Sequence, residues 1–331
     1  MNTIELQQKL FTYLKENIPP HISMVDELCE LLDLGTDSVY RRIRGEKTIS
    51  LPELKRICEH YRVSIDQLLQ LQNESAFFDA PGINTVPENF SDYLKGVLTK
   101  FKYFNTFKKT KIQYFCKDIP LWYYYLFPEL AAFKTFFWSK TFHNRPELAN
   151  KAFSLKEYPH YECFLIGQQI LEEQNRIPSF ELWNLESINS TINQIVYYKE
   201  INNFKSQDDF VAVLESLQKT LDHLQLQATK GVKFMPGATD LSYKAPVEVY
   251  VHELIMGSDT MLLTLDDRKR TMIAYGIFNY LFTNDDRFSG KISAMFDALF
   301  SRSTLISKTD ERARNRFFNT LREKVNDLKN K

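Results

Sequence analysis

Residues 23–69 read SMVDELCELLDLGTDSVYRRIRGEKTISLPELKRICEHYRVSIDQLL, and their punctuation divides them into short helices. Ser23 stands before Met24-Val25-Asp26, a cap followed by an acid in the first turn. Val25, Leu28, Leu31 and Leu32 then recur at helical spacing and form one buried stripe. Asp33-Leu34-Gly35 interrupts the run, with Gly35 offering backbone freedom for a turn. A second helix is expected over Thr36 to Arg44, with Thr36 as cap, Val39 and Ile43 inward, and Gly45 closing it. Ser50-Leu51-Pro52-Glu53 is a capping-box pattern with proline in the first turn. It opens a third helix whose core face is Leu54, Ile57, Cys58 and Tyr61. Ser64-Ile65-Asp66-Gln67 repeats the box and opens a fourth, carrying Leu68 and Leu69. Upstream, Ile4, Leu6, Leu10, Phe11 and Leu14 predict a leading helix. The expectation is a bundle of five short helices over residues 1–72.

The order and spacing of these elements resemble the helix-turn-helix domain of the Cro/repressor-like (XRE) family of DNA-binding regulators. The resemblance is carried by Leu28-Cys29, Leu34, Val39, Arg41, Arg44-Gly45 and Val63-Ser64-Ile65-Asp66-Gln67-Leu68-Leu69. Ser38 to Glu46 is worded like the variant found in regulators of Bacteroidetes type. Two departures stand out: Asp33 replaces the family's turn glycine, and the second inward position of the recognition helix falls at Ile43, one residue late. The resemblance implies that residues 36–44 form a recognition helix lying in the major groove of double-stranded DNA. Thr36, Asp37 and Arg41 would read bases, Arg44 and Lys47 would meet phosphates, and Arg42 and Ser23 would assist. The competing reading makes Arg41, Arg42 and Arg44 a solvated helix face.

Around this head the global properties are restrained. The chain has 331 residues, enough for two domains, with 42 basic and 42 acidic side chains. With no net charge, any attraction to nucleic acid has to come from a local patch. Cys29, Cys58, Cys116 and Cys163 show no pairing motif and read as reduced thiols of a cytoplasmic protein. Charges at Glu5, Lys9, Lys15 and Glu16 exclude a signal peptide at the N-terminus. The most apolar window, Ile119 to Trp138, is broken by Pro120, Pro128, Glu129 and Lys134 and reads as buried protein rather than a membrane span.

Residues 73–90, with Pro81, Gly82 and Pro87, read as a linker whose Phe77 and Phe78 are expected to dock on one of the domains. Residues 91–331 are expected to form a dimerisation or regulatory domain, α+β and predominantly α-helical. Helices are predicted over 92–107, 128–142, 161–174, 188–198, 207–228, 289–300 and 309–328, with a strand over 111–116. Val247 to Leu254, Thr260 to Leu265 and Arg270 to Ile277 predict a three-stranded antiparallel meander. Phe210, Leu214, Leu217, Leu221, Leu224 and Ala228 make a heptad seam, suited either to pairing two chains or to burial in its own bundle.

Lys95, Lys100, Lys102, Lys108, Lys109, Lys111 and Lys117 interleave with Phe101, Tyr103, Phe104 and Phe107. That texture suits either nucleic-acid backbone or an amphipathic helix with its aromatics inward. The 26 Phe, 17 Tyr and 3 Trp, dense over 101–142, suit a plain core or an apolar effector pocket. No glycine-rich phosphate loop, nucleophile elbow or paired-cysteine zinc pattern occurs, and His252-Glu253 lacks the second histidine of a zincin. His143, His160 and Cys163 lack a fourth ligand in register. The sequence therefore predicts no enzyme, no metal and no cofactor. It predicts a DNA-binding transcriptional regulator, a homodimer with a possible small-molecule or protein effector and no membrane partner. The alternative is an interaction module whose helical bundle binds a protein.

Overall fold

A computed structural model of the chain describes residues 3–18, 22–61, 63, 65, 76–80, 89–141, 145–240, 245–253, 257–276 and 279–329. The chain divides into two units, Met1–Phe77 and Phe78–Lys331. It is α+β and mostly helical.

Among the described residues the first unit holds four helices: α1 (Thr3–Asn17), α2 (Met24–Leu32), α3 (Thr36–Ile43) and α4 (Leu51–Tyr61). Leu10, Phe11 and Leu14 of α1 bury against Leu28, Leu32, Val39, Ile57 and Val63, so each helix contributes its apolar stripe to one core. The turn between α2 and α3 is made differently from expectation. Asp33, not Gly35, takes the left-handed conformation, at φ 55° and ψ 52°. An aspartate tolerates that region better than most side chains, which lets it make this turn without a glycine. Gly35 is extended and is itself the cap of α3, so Thr36 is the first helical residue rather than the cap. The capping box before α4 is formed: the Ser50 N–H donates to Glu53 Oε2 at 2.8 Å and the Glu53 N–H reaches Ser50 Oγ at 3.4 Å. Of the expected fifth helix, Ser64 and residues 66–69 lie outside the described residues.

The second unit begins inside the expected linker. Phe78 packs edge-on against Phe288 at 5.1 Å, and Asp79 exchanges backbone hydrogen bonds with Phe282. Residues 73–75 and 81–88 lie outside the described residues. The order is then α5 (Phe90–Phe104), β1 (Thr110–Phe115), a 3₁₀ turn (Leu121–Tyr125), α6 (Pro128–Thr141), α7 (Tyr161–Gln174) and β2 (Ser179–Trp183). It continues with α8 (Asn189–Glu200), α9 (Gln207–Lys230), β3 (Val247–Val251), β4 (Thr260–Leu265), β5 (Arg268–Ala274) and β6 (Tyr280–Thr283). The chain closes with α10 (Asp286–Ser301), β7 (Thr304–Leu305) and α11 (Glu311–Lys329).

The strands form one seven-stranded sheet in the order β6-β5-β4-β1-β2-β3-β7. β1, β2 and β3 are parallel and joined through helices; the other pairings are antiparallel. This corrects the expected meander. The segment 247–251 pairs with β2 and β7, and an unpredicted strand at 280–283 completes the antiparallel set β4-β5-β6. Period-two alternation assigns faces but does not choose neighbours. Ile112, Tyr114, Met261 and Leu263 turn to the main helical core, while Phe115, Leu182 and Leu262 turn to the other face and meet Phe296 of α10.

The heptad seam is also resolved. Phe210, Leu214, Leu217, Leu221, Leu224 and Ala228 are all buried in the unit's own core, so this stripe is not a surface for pairing chains. Beside it, Phe317, Leu321, Val325 and Leu328 of α11 are buried in the same core. The aromatic-rich window is interior protein: Trp122 to Tyr125 are buried, as is every residue from Leu130 to Ser139. Gly167 of α7 lies against the Tyr125 ring, where a Cβ would come within 2.1 Å of ring carbon. Phe101 and Phe104 of the basic stretch point inward. Lys95 pairs with Asp92 and Glu162, and Lys100 and Lys111 lie over the rings of Phe282 and Phe180. No described helix is long and apolar enough to cross a membrane.

Candidate nucleic-acid interface

Helix α3 is eight residues long and strongly two-sided. Val39 and Arg42 are buried and Ile43 half-buried, while Thr36, Asp37, Tyr40 and Arg41 face solvent, continued by Arg44 at its C-terminus. The inward set follows from helical spacing, since residues 39, 42 and 43 fall on one side of a 3.6-residue turn. The outward set is the surface this unit can lay against a partner.

Of the expected contact residues, Arg42 requires a correction. Its side chain is only 4% exposed, and Nη2 donates to Glu53 Oε1 at 2.7 Å while Nη1 donates to the Ser38 carbonyl at 3.1 Å. Glu53 is simultaneously the capping-box acid of α4, so one carboxylate ties the C-terminal half of α3 to the start of α4. Burial pushes the Glu53 pKa up, but the Ser50 N–H and the Arg42 guanidinium outweigh it and hold the carboxyl below its ordinary value. Arg42 positions α3 and is withdrawn from phosphate contact.

The other basic residues stay outside. Arg44 Nε and Nη2 donate to Glu46 at 2.6 and 3.1 Å, and Arg41 Nε lies 3.7 Å from the same carboxylate. The hydrogen bond with Arg44 is the main cause that lowers the Glu46 pKa and raises that of Arg44. Both guanidiniums remain more than half exposed, so Glu46 holds them together without withdrawing them from solvent. Lys47 is exposed beside them. Ser23 caps α2, its Oγ accepting the Asp26 N–H at 3.4 Å, and stays exposed. Thr36 Oγ1 lies 3.9 Å from Cys29 Sγ, linking the first turn of α3 to α2.

Sequence reasoning passed over two residues. Tyr40 is 44% exposed on the outer face between Asp37 and Arg44; read as a helix position, 40 is one turn from both. Gln7 of α1 is buried, and its Nε2 donates to the carbonyls of Arg42 and Lys47 at 2.7 and 2.8 Å while its Oε1 accepts the Ile49 N–H at 2.9 Å. It fastens the whole 42–49 turn. At the centre of that turn Gly45 has φ +81°, a conformation that side chains resist. Spacing alone marked Gly45, whereas a polar residue in helical register with Leu10, Phe11 and Leu14 gave the only hint at Gln7.

Residues 9–89 match the family model of the BetR domain, a helix-turn-helix-like family. The match takes in most of the first unit and about a quarter of the chain. No curated protein and no solved structure matches the chain.

Proposed function

We infer that the chain is a sequence-specific DNA-binding transcriptional regulator of the XRE-like helix-turn-helix class, working as a cytoplasmic homodimer. The observation that carries this reading is the outer face of α3, where Thr36, Asp37, Tyr40, Arg41 and Arg44 are exposed together on a helix locked from behind by Arg42, Glu53 and Gln7. In the major groove Arg41 would donate bidentately to guanine, Asp37 would accept from cytosine, and Tyr40 would pack on a thymine methyl. Arg44, Lys47 and Ser23 would hold the phosphates on either side. The second unit would pair two heads at half-sites one helical turn apart and report an effector to them.

The direct test is a gel shift with genomic fragments selected by the full chain. Arg41→Ala with Arg44→Ala should weaken binding by about a hundredfold, from about 1 to 3 kcal/mol per good arginine contact. Circular dichroism should be unchanged, because both side chains are exposed. Undiminished affinity would overturn the reading. Exposed Tyr40 and Leu51, the latter 81% exposed, favour a protein partner as the second reading. Salt separates the two, since phosphate neutralisation makes DNA affinity fall steeply as ionic strength rises.

A further inference from the structure

The second unit contains a cavity of about 590 Å³. It opens where parallel strands β1 and β2 end and β4 begins: Lys117 and Asp118 follow β1, Asn184 follows β2, and Asp259 precedes β4. The winding of the sheet reverses there. β2 and β3 step away from β1 on one side, and β4 joins it on the other. Chain leaving strand ends on the two sides of such a reversal splays apart, and the crevice is where open α/β sheets bind ligands.

The lining combines an aromatic wall, including Tyr93, Tyr114, Trp138 and Tyr280, with an amide-bearing wall that includes Asn189 and Gln194. Lys134 borders the cavity and is 1% exposed. Its Nζ donates to Thr191 Oγ1 at 3.1 Å and Gln194 Oε1 at 2.8 Å, lies over the rings of Tyr124 and Trp138, and stands 3.9 Å from Asp118 Oδ2. This lysine is fully engaged, and Asp118 is its counter-charge. Asp259 has no such match. Its Oδ1 accepts the Lys117 N–H at 2.8 Å and the carboxylate also accepts the Asp118 N–H, but the Asp118 charge repels it and the exposed Lys117 side chain offers only a weaker attraction.

We propose that this cavity is a binding site for a small organic molecule bearing a protonated amine, its ammonium at the Asp259 carboxylate beside Asp118 and its body against the tyrosines. For an anionic ligand, the carboxylates of Asp118, Glu186 and Asp259 outnumber the two lysines of the lining, of which Lys134 has its donors committed and Lys117 is exposed to solvent. A metal ion is the poorer occupant: among the described residues no group of three or more His, Cys, Asp or Glu side chains is placed to hold one. An ammonium at Asp259 supplies the charge that the carboxylate lacks, and the rings add cation–π attraction and apolar contact. Burial, with repulsion by Asp118, outweighs the two backbone donors and raises the Asp259 pKa to about 6. Use of the site to control DNA binding rests on the proposed function; its occupancy does not.

The test is calorimetric titration of the full chain, without DNA, by tyramine, agmatine and spermidine. The neutral isostere of tyramine, 4-hydroxyphenylethanol, is the control. At least one amine should bind saturably at one site per chain, and Asp259→Asn should weaken it about tenfold or more. Asparagine keeps an oxygen acceptor for the Lys117 N–H, so the variant should fold, and circular dichroism with a melting curve checks this. Three results would overturn the proposal: no saturable binding by any of the amines at millimolar concentration, binding indifferent to Asp259→Asn, or control binding as tight as tyramine. A failed gel shift leaves a positive titration standing, and a failed titration leaves the DNA reading standing.

Discussion

Two neighbouring arginines on α3 have opposite surroundings. Arg41 projects into solvent, whereas Arg42 is buried on Glu53. Arg42→Ala should therefore destabilise the first unit by about 3 kcal/mol, the cost of stripping one partner from a buried pair. Arg41→Ala should leave its denaturant midpoint unchanged, and urea titration of both variants checks the contrast. Asp259 makes the opposite case, a residue whose charge costs stability. Its pKa in the fold, about 6, lies above the ordinary 3.8. A carboxyl raised by folding contributes stability that is full below the unfolded pKa and is lost as pH rises through the folded one. Asp259→Asn mimics the protonated form, so it should stabilise the second unit by about 1 to 2 kcal/mol near pH 7, discounting for partial exposure. The gain should shrink towards about pH 4, and denaturant midpoints across that range check it. Such a cost is what a binding group carries when its partner is a ligand rather than a side chain.

At the scale of elements, α9 decides how the second unit is built. Its seam of Phe210, Leu214, Leu217, Leu221 and Leu224 spells a coiled coil in one dimension, yet every one of these side chains is already buried within the unit. Leu221→Ala should cost about 3 kcal/mol for transfer and cavity together. It should leave the oligomeric state, measured by light scattering, as it was. A shift to monomer would return the seam to an interface role. In the first unit, α3 owes its presentation to neighbours in sequence and in space: Gly45 ends it, and Gln7 holds the following turn.

The molecule as a whole has no net charge, so long-range attraction cannot bring it to DNA. The exposed cations of α3 and the turn that follows it are Arg41, Arg44 and Lys47. With Arg44 and Lys47 set against phosphates and Arg41 against a base, the proposed complex predicts a slope of about −2 per head in a plot of log affinity against log salt, and about twice that for a pair of heads on one operator. A slope near zero would move binding away from this face. In the basic stretch of the second unit Lys95, Lys100 and Lys111 are engaged by acids or rings, whereas Lys102, Lys108, Lys109 and Lys117 are exposed.

The helices of the first unit were legible in its sequence because their signals are local. Ser23 and Ser50 cap, Gly45 terminates, and apolar spacing sets the inward faces. The same signals marked α9 and α11 of the second unit to within a few residues. Much of the candidate DNA face could be read in the same way, as the exposed complement of a helical stripe. Arg42 could not, because a charge in a helix does not reveal that the facing element will bring Glu53 to it. β2 and β6 were missed, and β3 was assigned the wrong neighbours, because alternation within five residues carries no information about pairing partners. The cavity was further out of reach: Lys134, Asn184, Asp259 and Tyr280 come from four separate stretches and meet only beyond the ends of the central strands in the finished sheet. By itself the sequence determined which segments are helical and which side of each is apolar, since caps and periodicity act over a single turn. Tertiary structure alone decided which charges are buried, which strands adjoin and where the cavity opens, since those depend on contacts between residues far apart in the chain.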